Sequence, residues 1–120
     1  MDGDYITLAG HGWGDTDQIG NLRPDEGYCI LLSHQPEGFE DYAAAGFDLV
    51  FSGHAHGGQI RVPLIGAVYA PGQGLFPKYD SGLYSEGCTD MVVSRGIGNS
   101  VLPFRFNNQP EVIVVELKCA

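Results

Sequence analysis

The residues best suited to chemistry lie in one short run, Ser52-Gly53-His54-Ala55-His56-Gly57-Gly58-Gln59. Residues two apart on an extended backbone share a face, so His54 and His56 are expected to point into one cavity. The flanking glycines let the backbone approach a ligand closely. A neutral imidazole offers a lone pair that suits zinc, iron, manganese or nickel. Two polar residues in a surface turn is the plain alternative. A third histidine, His34, follows an apolar run. Alone it reads as a satisfied core histidine; brought beside His54 it reads as a metal ligand. His11, in Gly10-His11-Gly12-Trp13-Gly14-Asp15, reads as a loop histidine able to approach a substrate.

Two elements must position these side chains. Tyr28-Cys29-Ile30-Leu31-Leu32 and Phe47-Asp48-Leu49-Val50-Phe51 are short apolar runs, the pattern of strands buried on both faces. Between them, Pro36 suits the first turn of a helix, Glu37 to Ala45 carries acids early and alanines late, and Gly46 supplies a stop. Strands joined by a helical crossover run parallel and aim their carboxyl ends at the same edge of the sheet, where ligands bind in open α/β folds. His34 follows one strand end and His54 the other. Tyr5 to Ala9 reads as an earlier strand, and Gly10 to Gly27 as loop. Beyond His56 the pattern becomes mostly β. Short strands are expected at Gln59–Val62 and Ala67–Tyr69, a hairpin from Leu83 to Val93 turning near Gly87, and a final buried strand from Pro110 to Leu117.

Ser94-Arg95-Gly96-Ile97-Gly98-Asn99-Ser100 sets an arginine among glycines, so Arg95 is a candidate phosphate contact; a tight turn with a surface arginine is the alternative. No phosphate-binding Gly-Lys-Ser/Thr and no Gly-x-Ser-x-Gly nucleophile turn occurs. Asp15 and Asp17 resemble half a calcium loop without its glycine and closing glutamate. Asp2 and Asp4 read as solvated.

At 120 residues, the length suits one small domain. Six basic against fifteen acidic side chains give a net charge of −9, which argues against nucleic acid and anionic lipid as partners. Eighteen glycines, about double the usual share, imply tight turns and close backbone approaches. No apolar stretch nears the ~20 residues that span a bilayer, and Met1-Asp2-Gly3-Asp4 lacks a basic leader region. Cys29, Cys88 and Cys119 form no close pair, which suggests reduced thiols and a cytoplasmic setting.

Ser33-His34-Gln35-Pro36, followed by Asp48-Leu49-Val50-Phe51-Ser52-Gly53-His54-Ala55-His56-Gly57-Gly58-Gln59-Ile60-Arg61, resembles the calcineurin-like metallophosphoesterase superfamily. Pro63 to Pro71, Gly82-Leu83-Tyr84 and Val93 to Gly98 are similar to its bacterial branch of phosphohydrolases, and the likeness runs from about Tyr5 to Lys118. The resemblance implies a four-layer α/β/β/α sandwich with a two-metal site (manganese, iron or zinc) on the strand ends, hydrolysing a phosphomonoester or phosphodiester. His34 and His54 match ligands of one metal and His56 a ligand of the other. The family's earlier motifs, Asp-x-His, Gly-Asp and Gly-Asn-His, do not appear; Gly20-Asn21, for example, is followed by Leu22. The chain therefore reads as a single partial domain over residues 1–120, the C-terminal half of such a sandwich, one βαβ unit followed by mostly β-strands.

Three imidazoles without carboxylates would hold one divalent ion or none. The expected substrate is a phosphoester. A partner chain carrying the missing N-terminal half would complete the site. The alternative is a non-catalytic remnant, or a mononuclear metal-binding module using the same three histidines.

Overall fold

The computed structural model describes residues 5–98 and 105–118. The expectations for Asp2, Asp4, Asn99, Ser100 and Cys119 lie outside them.

Five strands form the main sheet, in the order β1-β2-β3-β8-β7. They are β1 (Ile6–His11), β2 (Tyr28–Ser33), β3 (Leu49–Ser52), β7 (Gly82–Glu86) and β8 (Thr89–Val93). The first four in that order are mutually parallel, and β7 returns antiparallel through a hairpin at Gly87, whose φ is 62°. A short 3-10 turn at Pro36–Gly38 leads into helix α1 (Phe39–Ala44) and completes the expected strand–helix–strand unit between β2 and β3. A smaller antiparallel sheet, β4 (Ile60–Val62), β5 (Gly66–Ala70) and β6 (Gly74–Leu75), is inserted between β3 and the hairpin. The α/β class holds, with one helical crossover and a β-rich remainder.

Alternation along the strands decides which face is covered. Cys29, Leu31, Val50, Met91 and Val93 point to one side and pack with Ile19, Phe39, Tyr42, Phe47 and Tyr79 into the core. The opposite side of the sheet carries Ile6 and Leu8 on β1, Tyr28 and Leu32 on β2, and Leu83 on β7, all exposed. A sheet face this apolar is normally covered by another layer.

Three expectations change. β1 extends two residues further than the apolar pattern suggests and takes in Gly10 and His11, because its six residues pair continuously with Tyr28 to Ser33. The Gly10–Gly27 stretch also holds a 3-10 turn at Ile19–Leu22, anchored by buried Ile19. Pro110 to Leu117 is not a buried strand. No ladder partner lies beside it among the described residues, and Val114 is 89% exposed. A buried strand needs neighbours for its backbone and both faces, and apolar composition alone does not supply them.

Candidate functional site

Register builds the edge before any side chain is considered. Pairing runs in one row from His11 to Ser33 to Ser52 to Val93, so the four parallel strands end level. His11, His34, the His54–His56 turn and the Ser94-Arg95 segment therefore leave the sheet at its carboxyl edge, as the crossover argument requires. The His34 and His54 ring centroids are 4.7 Å apart, and those of His54 and His56 are 6.4 Å apart. His11 packs edge-on to Tyr42 at 6.4 Å instead of joining the other histidines, and its Nε2 is buried without a hydrogen-bond partner.

The His54–His56 pair meets by a different route from the one expected. The segment is a tight turn, not an extended strand. His54 and His56 both adopt left-handed backbone conformations, with φ of 58° and 48°. Such a conformation costs roughly 1–3 kcal/mol per non-glycine residue and persists only where the surroundings enforce it. Gly57 and Gly58 continue the turn at φ 68° and 75°. Close packing enforces it: a Cβ on Gly58 would overlap the Ala67 methyl, and one on Gly57 would lie 2.6 Å from both Arg95 Cγ and Asn108 Oδ1. Ala55 is fully buried, and its carbonyl accepts from the Gly58 amide at 2.8 Å.

Asn108 locks the turn from the far end of the chain. Its Nδ2 donates to the His56 carbonyl and to the Gly58 carbonyl, the latter at 2.9 Å. The segment carrying it is registered by an isolated parallel bridge between Ile60 and Phe106. Nothing in the sequence marks Asn108; only the fold brings it 50 residues back to Gly58.

Four other side chains surround the histidines. Trp13, 65% exposed, lies edge-on to His54 with centroids 4.7 Å apart, and Gly14 on its loop donates to Gln35 Oε1 at 3.0 Å. Glu37 flanks His54 across Gly72, with one carboxylate oxygen buried and without a hydrogen-bond partner. Arg95 lies beside the turn and is ion-paired with Glu111 at 3.2 Å, in an alignment too bent to count as a hydrogen bond. Arg105 stands near His56, with Nη2 bonded to the carbonyls of Arg95, at 2.8 Å, and Gly98.

The electrostatics keep two imidazoles uncharged. Burial, reinforced by His34, pushes His54 below its ordinary value against the opposing charge of Glu37. Burial and the Arg105 guanidinium push His56 down, against a hydrogen bond with the Gly98 backbone. Lone pairs are therefore available at neutral pH.

Among the described residues, no group of three or more His, Cys, Asp or Glu side chains is arranged to hold a metal ion. The edge offers imidazoles, a cation beside His56, and Glu37 as the carboxylate acting on His54. Two hard divalent ions held close together need bridging carboxylate oxygen. The side chains present do not by themselves fit a two-metal centre.

Comparison with known proteins gives a consistent likeness. The chain is 38% identical over 107 residues to "Uncharacterized metallophosphoesterase YkuE" of Bacillus subtilis, covering 88% of this chain and 37% of that protein. It is 39% identical over 88 residues to "Phosphodiesterase YaeI" of Escherichia coli, covering 73% of this chain and 32% of the other. A bovine "Transmembrane protein with metallophosphoesterase domain" is 31% identical over 123 residues, 26% of its length. The chain thus spans about a third of the length of the curated relatives it matches. No family model and no solved structure matches. No helix among the described residues is long and apolar enough to cross a membrane.

Proposed function

We propose, for a chain that belongs to the metallophosphoesterase superfamily, that it supplies the histidine side of a phosphoester-hydrolysing site. The observation that carries this reading is the level ending of four parallel strands, which gathers His34, His54 and His56 at one edge behind a strained, locked turn. The family name implies divalent metal cofactors. On this reading His34, His54 and His56 are imidazole donors to manganese, iron or zinc, and the carboxylates come from residues outside this sequence. The reaction is transfer of a phosphoryl group from an ester oxygen to water, on a phosphomonoester or phosphodiester. The exposed apolar face of the main sheet supports a partner of the same kind: a polypeptide layer, on this or another chain, that brings the missing motifs.

A second reading is favoured by one observation, the absence of a ligand cluster among the described residues. It makes the chain a non-catalytic remnant, and it counts against the other alternative, a mononuclear metal-binding module on the same three histidines. Metal content measured by native mass spectrometry separates the two. The catalytic reading expects at most one weakly held ion in the chain alone, and two once the missing segment is supplied. A second ion that never appears would sink it.

A further inference from the structure

Charge is spread unevenly along this chain. Fifteen acidic residues are shared among 120 positions, yet none falls between Asp48 and Asp80. That interval contains the whole of the small sheet, β4 to β6. Its two cations are each held by a carboxylate from outside it, Arg61 by Asp80 and Lys78 by Glu40. In a chain of net charge −9, the small sheet is therefore a nearly neutral region.

Apolar side chains gather on one face of that sheet. Residues directly opposite each other on neighbouring strands share a face. Leu75 lies opposite Tyr69, and Tyr69 opposite Ile60. The parallel bridge sets Phe106 beside Ile60. Phe106, Ile60, Tyr69 and Leu75 thus form one cross-strand row, and all four are exposed. Two further residues extend the apolar surface. Leu64 is fully exposed in the turn between β4 and β5. Phe76, also exposed, donates its amide to the Val68 carbonyl at 2.8 Å, which sets it on the Leu64 side of Leu75. Both take left-handed backbone conformations, with φ of 71° and 52°. Such backbone is unfavourable for a large side chain, and here it holds apolar groups out in water.

Shape and charge select the occupant. A protein groove closes on a flat or recessed face, whereas Leu64 stands at the tip of a hairpin. A neutral, protruding apolar tip backed by Tyr and Phe suits the boundary between headgroups and acyl chains of a bilayer. Anionic lipid repels a chain of this charge, so the matching surface is zwitterionic.

We propose that the small sheet docks on a zwitterionic lipid surface, with Leu64 and Phe76 entering the headgroup boundary beside the Phe106–Ile60–Tyr69–Leu75 row. The proposal stands apart from the phosphoester reading and does not need it.

The test is co-sedimentation of the 120-residue chain with phosphatidylcholine vesicles. Wild type should bind. Leu64→Asn keeps a residue that tolerates the left-handed turn, and should weaken binding roughly 10-fold, the loss expected for withdrawing one large apolar side chain from lipid. Adding Phe76→Asn should weaken it further, while Leu83→Asn on the main sheet should leave it unchanged. Vesicles containing phosphatidylserine should bind less at low salt. A wild-type chain that stays in solution overturns the proposal, as does a double variant that binds like wild type. Tighter binding to phosphatidylserine vesicles overturns the charge argument and the proposal with it. Self-association without vesicles that the double variant abolishes assigns the face to a second copy and overturns lipid docking. Binding that disappears when the uncovered part of YkuE is joined to the chain assigns the face to that segment, and overturns it too. Should the variants fail to fold, wild type decides alone with spin-labelled phosphatidylcholine: amide broadening should be strongest at Leu64 and Phe76, and broadening strongest at Ile6 and Leu8 on the main sheet refutes the assignment.

Discussion

Replacing Asn108 with alanine tests whether the locked turn depends on a single side chain. Asn108 is 4% exposed, and its amide donates to the carbonyls of His56 and Gly58. Alanine removes both bonds and leaves two buried carbonyls unpaired. A typical intramolecular hydrogen bond contributes about 1 kcal/mol net, and a buried orphan about 1–3 kcal/mol. Part is returned, because Asn108 Oδ1 is itself buried without a partner. The expected loss is about 1–3 kcal/mol. For a chain of this length, that lowers Tm by roughly 4–12 °C. Asn108→Asp should be worse, since it replaces the donor with a charge facing two carbonyls. The single tryptophan, Trp13, packs against His54 and reports the turn directly. Its emission should change in Asn108→Ala while far-UV circular dichroism stays near wild type. Thermal denaturation and fluorescence together decide. A stability change below about 0.5 kcal/mol with unaltered Trp13 emission would refute the claim that Asn108 holds the histidine turn.

Other consequences follow from the same contacts. Gly58→Ala should destabilise by about 2–4 kcal/mol, because the new methyl overlaps Ala67 and φ stays at 75°; urea denaturation would show it, and a midpoint unchanged from wild type would count against the packing described. Asp80 is pushed up by burial, but hydrogen bonds from Tyr84 and Arg61 outweigh this and hold it below its ordinary value. Its contribution should be full above about pH 4 and be lost as pH falls through the lowered value, so Asp80→Asn should flatten the acid limb of stability measured from pH 5 to pH 2. Cys88 is exposed and Cys29 buried, so mass-spectrometric mapping after brief alkylation of the native chain should find Cys88 modified and Cys29 protected; equal labelling would contradict the placement of β2 in the core.

How much of this was legible beforehand depends on the range over which each feature is determined. The βαβ unit was readable because apolar runs, Pro36 and Gly46 are local signals, and the parallel rule then placed His34 and His54 together without further information. The hairpin at Gly87 was readable for the same reason. The conformation of the His54–His56 turn was not: its left-handed backbone is imposed by Ala67, Arg95 and Asn108, which lie far along the chain. Glu37 looked like an ordinary acid in a helix's first turn until Gly72 brought it against His54. The segment from Pro110 to Leu117 misled in the opposite direction, since apolar periodicity reports what a residue would bury and is silent on whether a neighbouring strand exists.

The central claim, that His34, His54 and His56 form part of a phosphoester-hydrolysing site completed by residues outside this sequence, is tested most directly by restoring those residues. A chimera would join this chain to the part of YkuE that its match leaves uncovered, and be assayed for manganese-dependent hydrolysis of bis(p-nitrophenyl) phosphate. The account predicts turnover in the chimera, little in the chain alone, and a fall on His54→Ala of at least the ~10–100-fold that loss of an outer-sphere partner costs at a metal site. A folded chimera without turnover, or one indifferent to His54→Ala, would contradict it.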